Sequence, residues 1–146
     1  MKKFSELSLS TQLIKSLDGL GYKEMTPIQR ESLPSVLKGR DIIAQAKTGS
    51  GKTAAFGLGL LQKIEIDGFN IGGLVLCPTR ELANQVSEEL RKLARHVYNM
   101  KIVTLCGGTP VYYHQRSLEH GAHVAVGTPG RILDLLQKGH LNVDHA

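Results

Sequence analysis

The chain predicts an α/β domain built on a parallel sheet, and three observations carry that prediction. Short apolar runs without polar alternation recur between residues 41 and 126, as expected of strands covered on both faces. Segments of helical periodicity follow these runs, the alternation that builds parallel sheets. The first run opens into a small-residue loop, Thr48-Gly49-Ser50-Gly51, closed by Lys52-Thr53 at the head of a predicted helix. Strand, glycine-rich loop and Lys-Thr at a helix start is a phosphate-cradling order. At 146 residues the chain is one domain's worth, long enough for a real core. It divides into a helical segment, residues 1–40, and a sheet portion, residues 41–146.

In chain order, Ser10 caps a first helix whose Leu13, Ile14, Leu17 and Leu20 recur at helical spacing until Gly21 stops it. Thr26-Pro27 starts a second, since proline at the first helical position gives up no needed N–H. Gln29, three residues after Thr26, can complete a capping box. Pro34 is expected to interrupt or kink this helix near Leu33, and Gly39 to end it. Strand Asp41–Ala46 then leads to helix Lys52–Ile64, and strand Leu74–Cys77 to helix Glu81–Val97. Strand Ile102–Cys106 leads through Gly107-Gly108-Thr109-Pro110 to a helix near Tyr113–Glu119. Strand His123–Val126 leads to helix Pro129–Lys138, ended by Gly139.

The chemistry of AKTGSGKT follows from its composition. Gly49 and Gly51 allow turns that a Cβ resists and let N–H groups point inward at an anion. The helix start adds positive potential at the same place. Lys52 would reach the β- and γ-phosphates and Thr53 would hold Mg²⁺. Ala46 stands where this pattern commonly has its first glycine. A glycine-serine turn that merely caps a helix is the plainer reading, and the ordered strand–loop–helix context argues against it.

Ligands of open parallel sheets sit beyond the carboxyl ends of the strands. Thr79-Arg80 opens one helix there, and Thr128-Pro129-Gly130-Arg131 opens another. Each combines a helix N-terminus, a hydroxyl and a guanidinium, a set suited to phosphate. Gly107-Gly108 adds a place where a nucleic-acid backbone can approach closely. Either arginine alone reads better as an exposed side chain on a capped helix, and it is their convergence with the glycine doublet beside the phosphate loop that favours binding.

Composition is ordinary for a globular chain, 41% hydrophobic and 21% charged. A net charge of +5 and a pI near 9.3 suit a polyanionic partner without requiring one. Cys77 and Cys106 end apolar runs, where small buried hydrophobes fit better than a disulfide. Only His120 and His123 have any ligand-like spacing, and no cysteine pair joins them, which argues against a metal site. There is no signal-peptide core or spanning apolar run, so no membrane association is expected and a reduced cytoplasmic setting is.

Taken together, GYKEMTPIQ, AKTGSGKT, PTRELA, the glycine doublet and TPGR, in that order, resemble the first RecA-like domain of a DEAD-box RNA helicase. The resemblance covers essentially the whole chain. Within that family, QAKTGSGKTAAFGLGLLQ and LVLCPTRELA are most similar to the bacterial DbpA-type members, which act on large-subunit ribosomal RNA. The resemblance implies an ATP-dependent RNA helicase with a role in ribosome assembly. It makes residues 1–40 the Q-motif segment and residues 41–146 part of the ATP-binding domain. Gln29 would read the adenine edge, a carboxamide matching its N6 donor and N7 acceptor. Tyr22 would stack on the base, Phe4 would pack nearby, and Glu24 would contact it through its main chain. Met25 replaces a common proline. Ala46, Lys47, Thr48, Gly49, Ser50, Gly51, Lys52 and Thr53 would hold the triphosphate and Mg²⁺. Thr79, Arg80, Gly107, Gly108, Thr128, Gly130 and Arg131 would grip the RNA backbone, contacts that carry no sequence information.

That family also carries Asp-Glu-Ala-Asp at the end of an apolar strand, and no run here ends in a carboxylate. Without it, no acidic group anchors Mg²⁺ through water or activates an attacking water. The expectation is a fragment, truncated before that strand and inactive alone, with no complete catalytic set. Its unfinished sheet is expected to expose edges and to self-associate. An inert adenine-nucleotide module and a different P-loop NTPase, such as a small-molecule kinase, remain open.

Overall fold

The computed structural model describes residues 1–146. Helices α1 (Thr11–Gly19), α2 (Pro27–Leu37) and α3 (Lys52–Lys63) come first. Strand β1 (Gly73–Leu76), helix α4 (Arg80–Leu93), strand β2 (Ile102–Leu105), helix α5 (Val111–Glu119), strand β3 (Val124–Gly127) and helix α6 (Pro129–Gln137) follow. By internal contacts the chain forms two compact units, Met1–Lys63 with Glu89–Tyr98, and Ile64–Glu88 with Asn99–Ala146. No helix is long and apolar enough to cross a membrane.

The first unit is helical. Ser10 caps α1 by accepting from Leu13 N, which satisfies one of the orphan donors of a helix start. Gly21 and Gly39 follow α1 and α2 with φ +75° and +78°, the left-handed exit glycine tolerates best. Leu33 is fully buried on α2. A Cβ on Gly59 of α3 would lie 2.0 Å from Val36 Cγ1, so α2 and α3 pack as closely as they do because Gly59 has no side chain. This packing also explains Pro34. A proline there predicts a break or kink near Leu33, yet the helix runs through Pro34 to Leu37, the lost backbone bond being offset by contact with α3. A short 3-10 turn, Phe4–Glu6, precedes α1 and buries Phe4.

The second unit holds the sheet, all parallel, in the order β1-β3-β2. One face presents Leu105 and Ala125, covered by Ile132 and Leu135 of α6 and by Leu118 of α5. On the other, the Thr104 hydroxyl donates to Ser87 Oγ of α4 at 2.7 Å. Helices therefore cover both faces, and a buried hydroxyl pair is satisfied where α4 crosses β2. Cys77 and Cys106 are free thiols buried at the ends of β1 and β2, as small hydrophobes would be.

Two expectations are corrected. Residues 41–46 are not a strand. Strands β1, β2 and β3 pair only with one another, so this apolar run has no ladder, and Ile43 is fully exposed. An apolar run reports that a segment suits a buried strand and cannot supply the neighbour that makes it one. Helix α4 also ends at Leu93 rather than Val97. The N–H of His96 donates to Ser16 Oγ of α1 at 3.0 Å instead of continuing the helix. The remaining boundaries fall within two residues of expectation.

Candidate nucleotide and nucleic-acid sites

The AKTGSGKT loop lies in the first unit. Ser50 N donates to Lys47 O, forming a turn, and Gly49 and Gly51 take φ +81° and +88°. Alternating left-handed residues aim successive N–H groups into one concavity, and the first turn of α3 leaves more of them without intrahelical acceptors. Lys52 Nζ reaches back across the loop to the Ala46 carbonyl. Lys47, Thr48 and Gly49 are exposed, while Ser50, Gly51, Lys52 and Thr53 are partly buried.

Gln29 binds this loop to α2. Its Oε1 accepts from Thr26 N at 2.9 Å, in the capping-box arrangement, and its Nε2 donates to Gly51 O at 3.0 Å. The capping reading of Gln29 is borne out, and the same buried carboxamide ties α2 to the loop. An amide has two acceptor lone pairs and two donor hydrogens, so one of each remains. The Thr26 hydroxyl faces the Gln29 backbone N–H in the box but falls short of a full hydrogen bond. Thr26 Oγ1, beside Gly51, and Ser50 Oγ, within the loop, are thus the buried polar side-chain atoms without a hydrogen-bond partner. Orphaned buried hydroxyls are uncommon, and these fit a polar ligand such as a nucleoside triphosphate. Phe4 is held beside the same segment by Phe4 N to Lys23 O and Met25 N to Lys2 O, with Lys3 bridging Glu24. Tyr22 is half exposed and free to stack.

The second unit gathers Thr79, Arg80, Gly107, Gly108, Thr128, Gly130 and Arg131 in the loops and helix starts that follow its parallel strands. The glycine doublet is their hub. Gly108 has φ +87°, and a Cβ there would lie 2.2 Å from Arg80 Nη1, so the Arg80 guanidinium rests against bare backbone. Gly107 N donates to Thr128 Oγ1 at 3.4 Å. Arg131 Nη1 donates to Thr109 O and to His114 Nδ1, each at 2.8 Å. Thr79 accepts from Leu82 N, the helix-capping role that its position allowed. Gly130 has open space around it.

The electrostatics agree with convergence on this loop. Burial pushes the Cys106 thiol up, and the guanidiniums of Arg80 and then Arg131 oppose that push. Burial, then the Arg131 charge, hold His114 below the ordinary imidazole value.

Three residues take roles that their sequence context does not announce. His114 belongs to no motif, yet it is buried against Arg131. Gly127 looks like a mere lead into TPGR, yet a Cβ there would lie 2.3 Å from Leu105 O of the neighbouring strand. His123, spaced like a ligand beside His120, is fully buried; its Nδ1 accepts from Lys101 N and its Nε2 lies 3.0 Å from both Ile66 O and Gly68 O. A buried, hydrogen-bonded histidine pins the 66–68 loop to the start of β3. The chain has no cluster of three His, Cys, Asp or Glu that could hold a metal ion.

Comparison with known proteins agrees with this geometry. The family model described as DEAD/DEAH box helicase matches residues 26–145. The chain is 56% identical over 145 residues to the ATP-dependent RNA helicase DbpA of Escherichia coli strain K12, covering 99% of the chain and 32% of that relative. It is 46% identical to the ATP-dependent RNA helicase CshA of Listeria monocytogenes, covering 99% of the chain and 28% of the relative. The crystal structure of a DEAD box protein from the hyperthermophile Methanococcus jannaschii superposes with a TM-score of 0.93 at 38% identity, covering 100% of the chain and 40% of that protein. The chain thus spans about a third of the length of the curated relatives it matches. On the match to most of its length, and on the fold it shares, the chain belongs to the DEAD/DEAH box helicase family.

Proposed function

We propose that the chain is the ATP- and RNA-binding part of an ATP-dependent RNA helicase, acting in duplex unwinding or remodelling. The Gln29 carboxamide carries this reading. With one lone pair on Thr26 N and one N–H on Gly51 O, it keeps one acceptor and one donor, the complement of adenine N6 and N7. Tyr22 stacks on the base, and Phe4 and the Glu24 main chain shape its pocket. The loop amides and Lys52 hold the phosphates, and Thr53 holds Mg²⁺. Bound Mg²⁺–ATP would supply the phosphoanhydride; these residues orient it. The strands end in Cys77-Pro78, Cys106-Gly107 and Thr128-Pro129, none a carboxylate, so residues 1–146 grip the triphosphate without a base to activate water. That observation favours a second reading, in which this stretch alone captures ATP without cutting it.

For RNA, Thr79, Arg80, Thr128, Arg131 and the backbone at Gly107, Gly108 and Gly130 contact sugar and phosphate. Ribosomal RNA and ribosome assembly, in the cytoplasm, are the proposed setting, supported by the DbpA-type likeness of the AKTGSGKT and PTRELA segments. Such contacts do not read sequence. The 146-residue chain should therefore bind single-stranded RNAs of equal length and unrelated sequence alike. Arg80→Ala should weaken all of them equally and reduce the salt slope of log K by about 0.7, one phosphate on a single strand. Loss on some sequences and not others would overturn the backbone assignment.

Self-association through unpaired edges belongs to the same proposal. It is supported by Ile43, fully exposed on an unpaired segment, and by Leu76 on the outer edge of β1. Sedimentation should show concentration-dependent association, and a monomer at every concentration would contradict it.

A further inference from the structure

Arg131 is not a free side chain. Both hydrogens of its Nη1 are committed, one to the Thr109 carbonyl and one to His114 Nδ1, each at 2.8 Å. An arginine only donates, so His114 Nδ1 is the acceptor and the ring proton sits on Nε2. His114 is itself buried on α5. The Nε and Nη2 hydrogens of Arg131 have no protein partner. They form the planar fork with which a guanidinium takes a phosphate through two hydrogen bonds.

We propose that His114 is a positioning residue for RNA binding: it holds the Arg131 fork open toward an RNA phosphate. The proposal rests on the assignment of Arg131 to the RNA backbone. Thr109 and His114 together fix the guanidinium plane, since the group is rigid and planar and two acceptors on one of its nitrogens hold it against rotation about the side-chain torsions. One acceptor alone leaves a long side chain that must lose rotamer freedom whenever RNA binds. His114 never touches RNA; it spares Arg131 that loss and sets which hydrogens face out.

The test uses the 146-residue chain, a short fluorescein-labelled oligouridylate, and anisotropy titrations at several salt concentrations. His114→Leu, which keeps bulk and removes the acceptor, should weaken binding about five-fold and lower the salt slope by about 0.7, one phosphate. His114→Gln, whose Oε1 can accept from Arg131, should stay within about two-fold of the parent. Adding His114→Leu to Arg131→Met should cost nothing beyond Arg131→Met, because the pair acts as a unit. Multiplicative losses, or a His114→Gln chain as weak as His114→Leu, would overturn the positioning role. If Arg131→Met leaves RNA binding intact, the RNA assignment of Arg131 fails first and the proposal with it. Should His114→Leu unfold, the unmutated chain still decides the question. Its ring-nitrogen NMR shifts should show His114 neutral and protonated at Nε2, with and without the oligouridylate. Arg131→Met should abolish that preference. A proton found on Nδ1 of the parent chain would overturn the proposal.

Discussion

Gly51→Ala is expected to lower ATP affinity by about tenfold or more, roughly 1.4 kcal/mol or above. Two effects combine. Gly51 has φ +88°, where an L-residue costs about 1–2 kcal/mol. The added methyl would also stand 2.3 Å from Gln29 Nε2 and 3.0 Å from Thr26 Oγ1. Gln29 is a flexible side chain, but it is buried and bonded at both ends, so moving it forfeits the Gly51 and Thr26 bonds together. Gly49→Ala isolates the backbone part. Gly49 has φ +81° with nothing within 4 Å of an added Cβ, and should lose less. Titration of the three chains with a fluorescent ATP analogue separates the effects. Equal losses at Gly49 and Gly51 would mean that contact with Gln29 contributes nothing.

Gly127→Ala is expected to destabilise the fold by about 3 kcal/mol, the upper range for forcing atoms into a packed site. A Cβ at Gly127 would lie 2.3 Å from Leu105 O and 2.8 Å from Ile132 Cδ1. The leucine side chain is not the obstacle; the obstacle is the backbone of β2, paired to β3 at this register. Relief requires parting the central strand from its neighbour. At roughly 2–4 °C per kcal/mol for a chain of this size, the thermal midpoint should fall by about 10 °C. Gly130→Ala is the control, because no atom lies within 4 Å of that position and alanine favours the helix it opens. A Gly127→Ala midpoint within about a degree of the parent would remove the claim that this close approach is needed.

Local signals in the sequence proved reliable where the physics is local. Ser10, Thr26-Pro27 and Thr128-Pro129 start helices, and Gly21, Gly39 and Gly139 leave them with positive φ. The phosphate loop, the glycine doublet and both arginine-bearing helix starts were legible for the same reason. What escaped was set by partners distant in the chain. Residues 41–46 have strand composition, but a strand exists only through its ladder. His114 reads as one more polar residue on α5 until Arg131, from another helix, comes within 2.8 Å. Gly127 only precedes TPGR in the sequence, whereas its small size serves the sheet. In Gln29 the capping reading is borne out, and the carboxamide keeps hydrogen-bonding capacity beyond its cap.

The central claim is that Gln29 makes this loop specific for adenine, and nucleotide competition tests it most directly. ATP and GTP share the triphosphate, so their affinity ratio cancels any general damage to the phosphate loop. The parent chain should prefer ATP by about 1–3 kcal/mol, the worth of a bidentate base contact. Gln29→Ala should bring the ratio close to one, even if it weakens both nucleotides by loosening Gly51. GTP displacing a labelled ATP analogue from the parent chain as well as ATP does would contradict the claim.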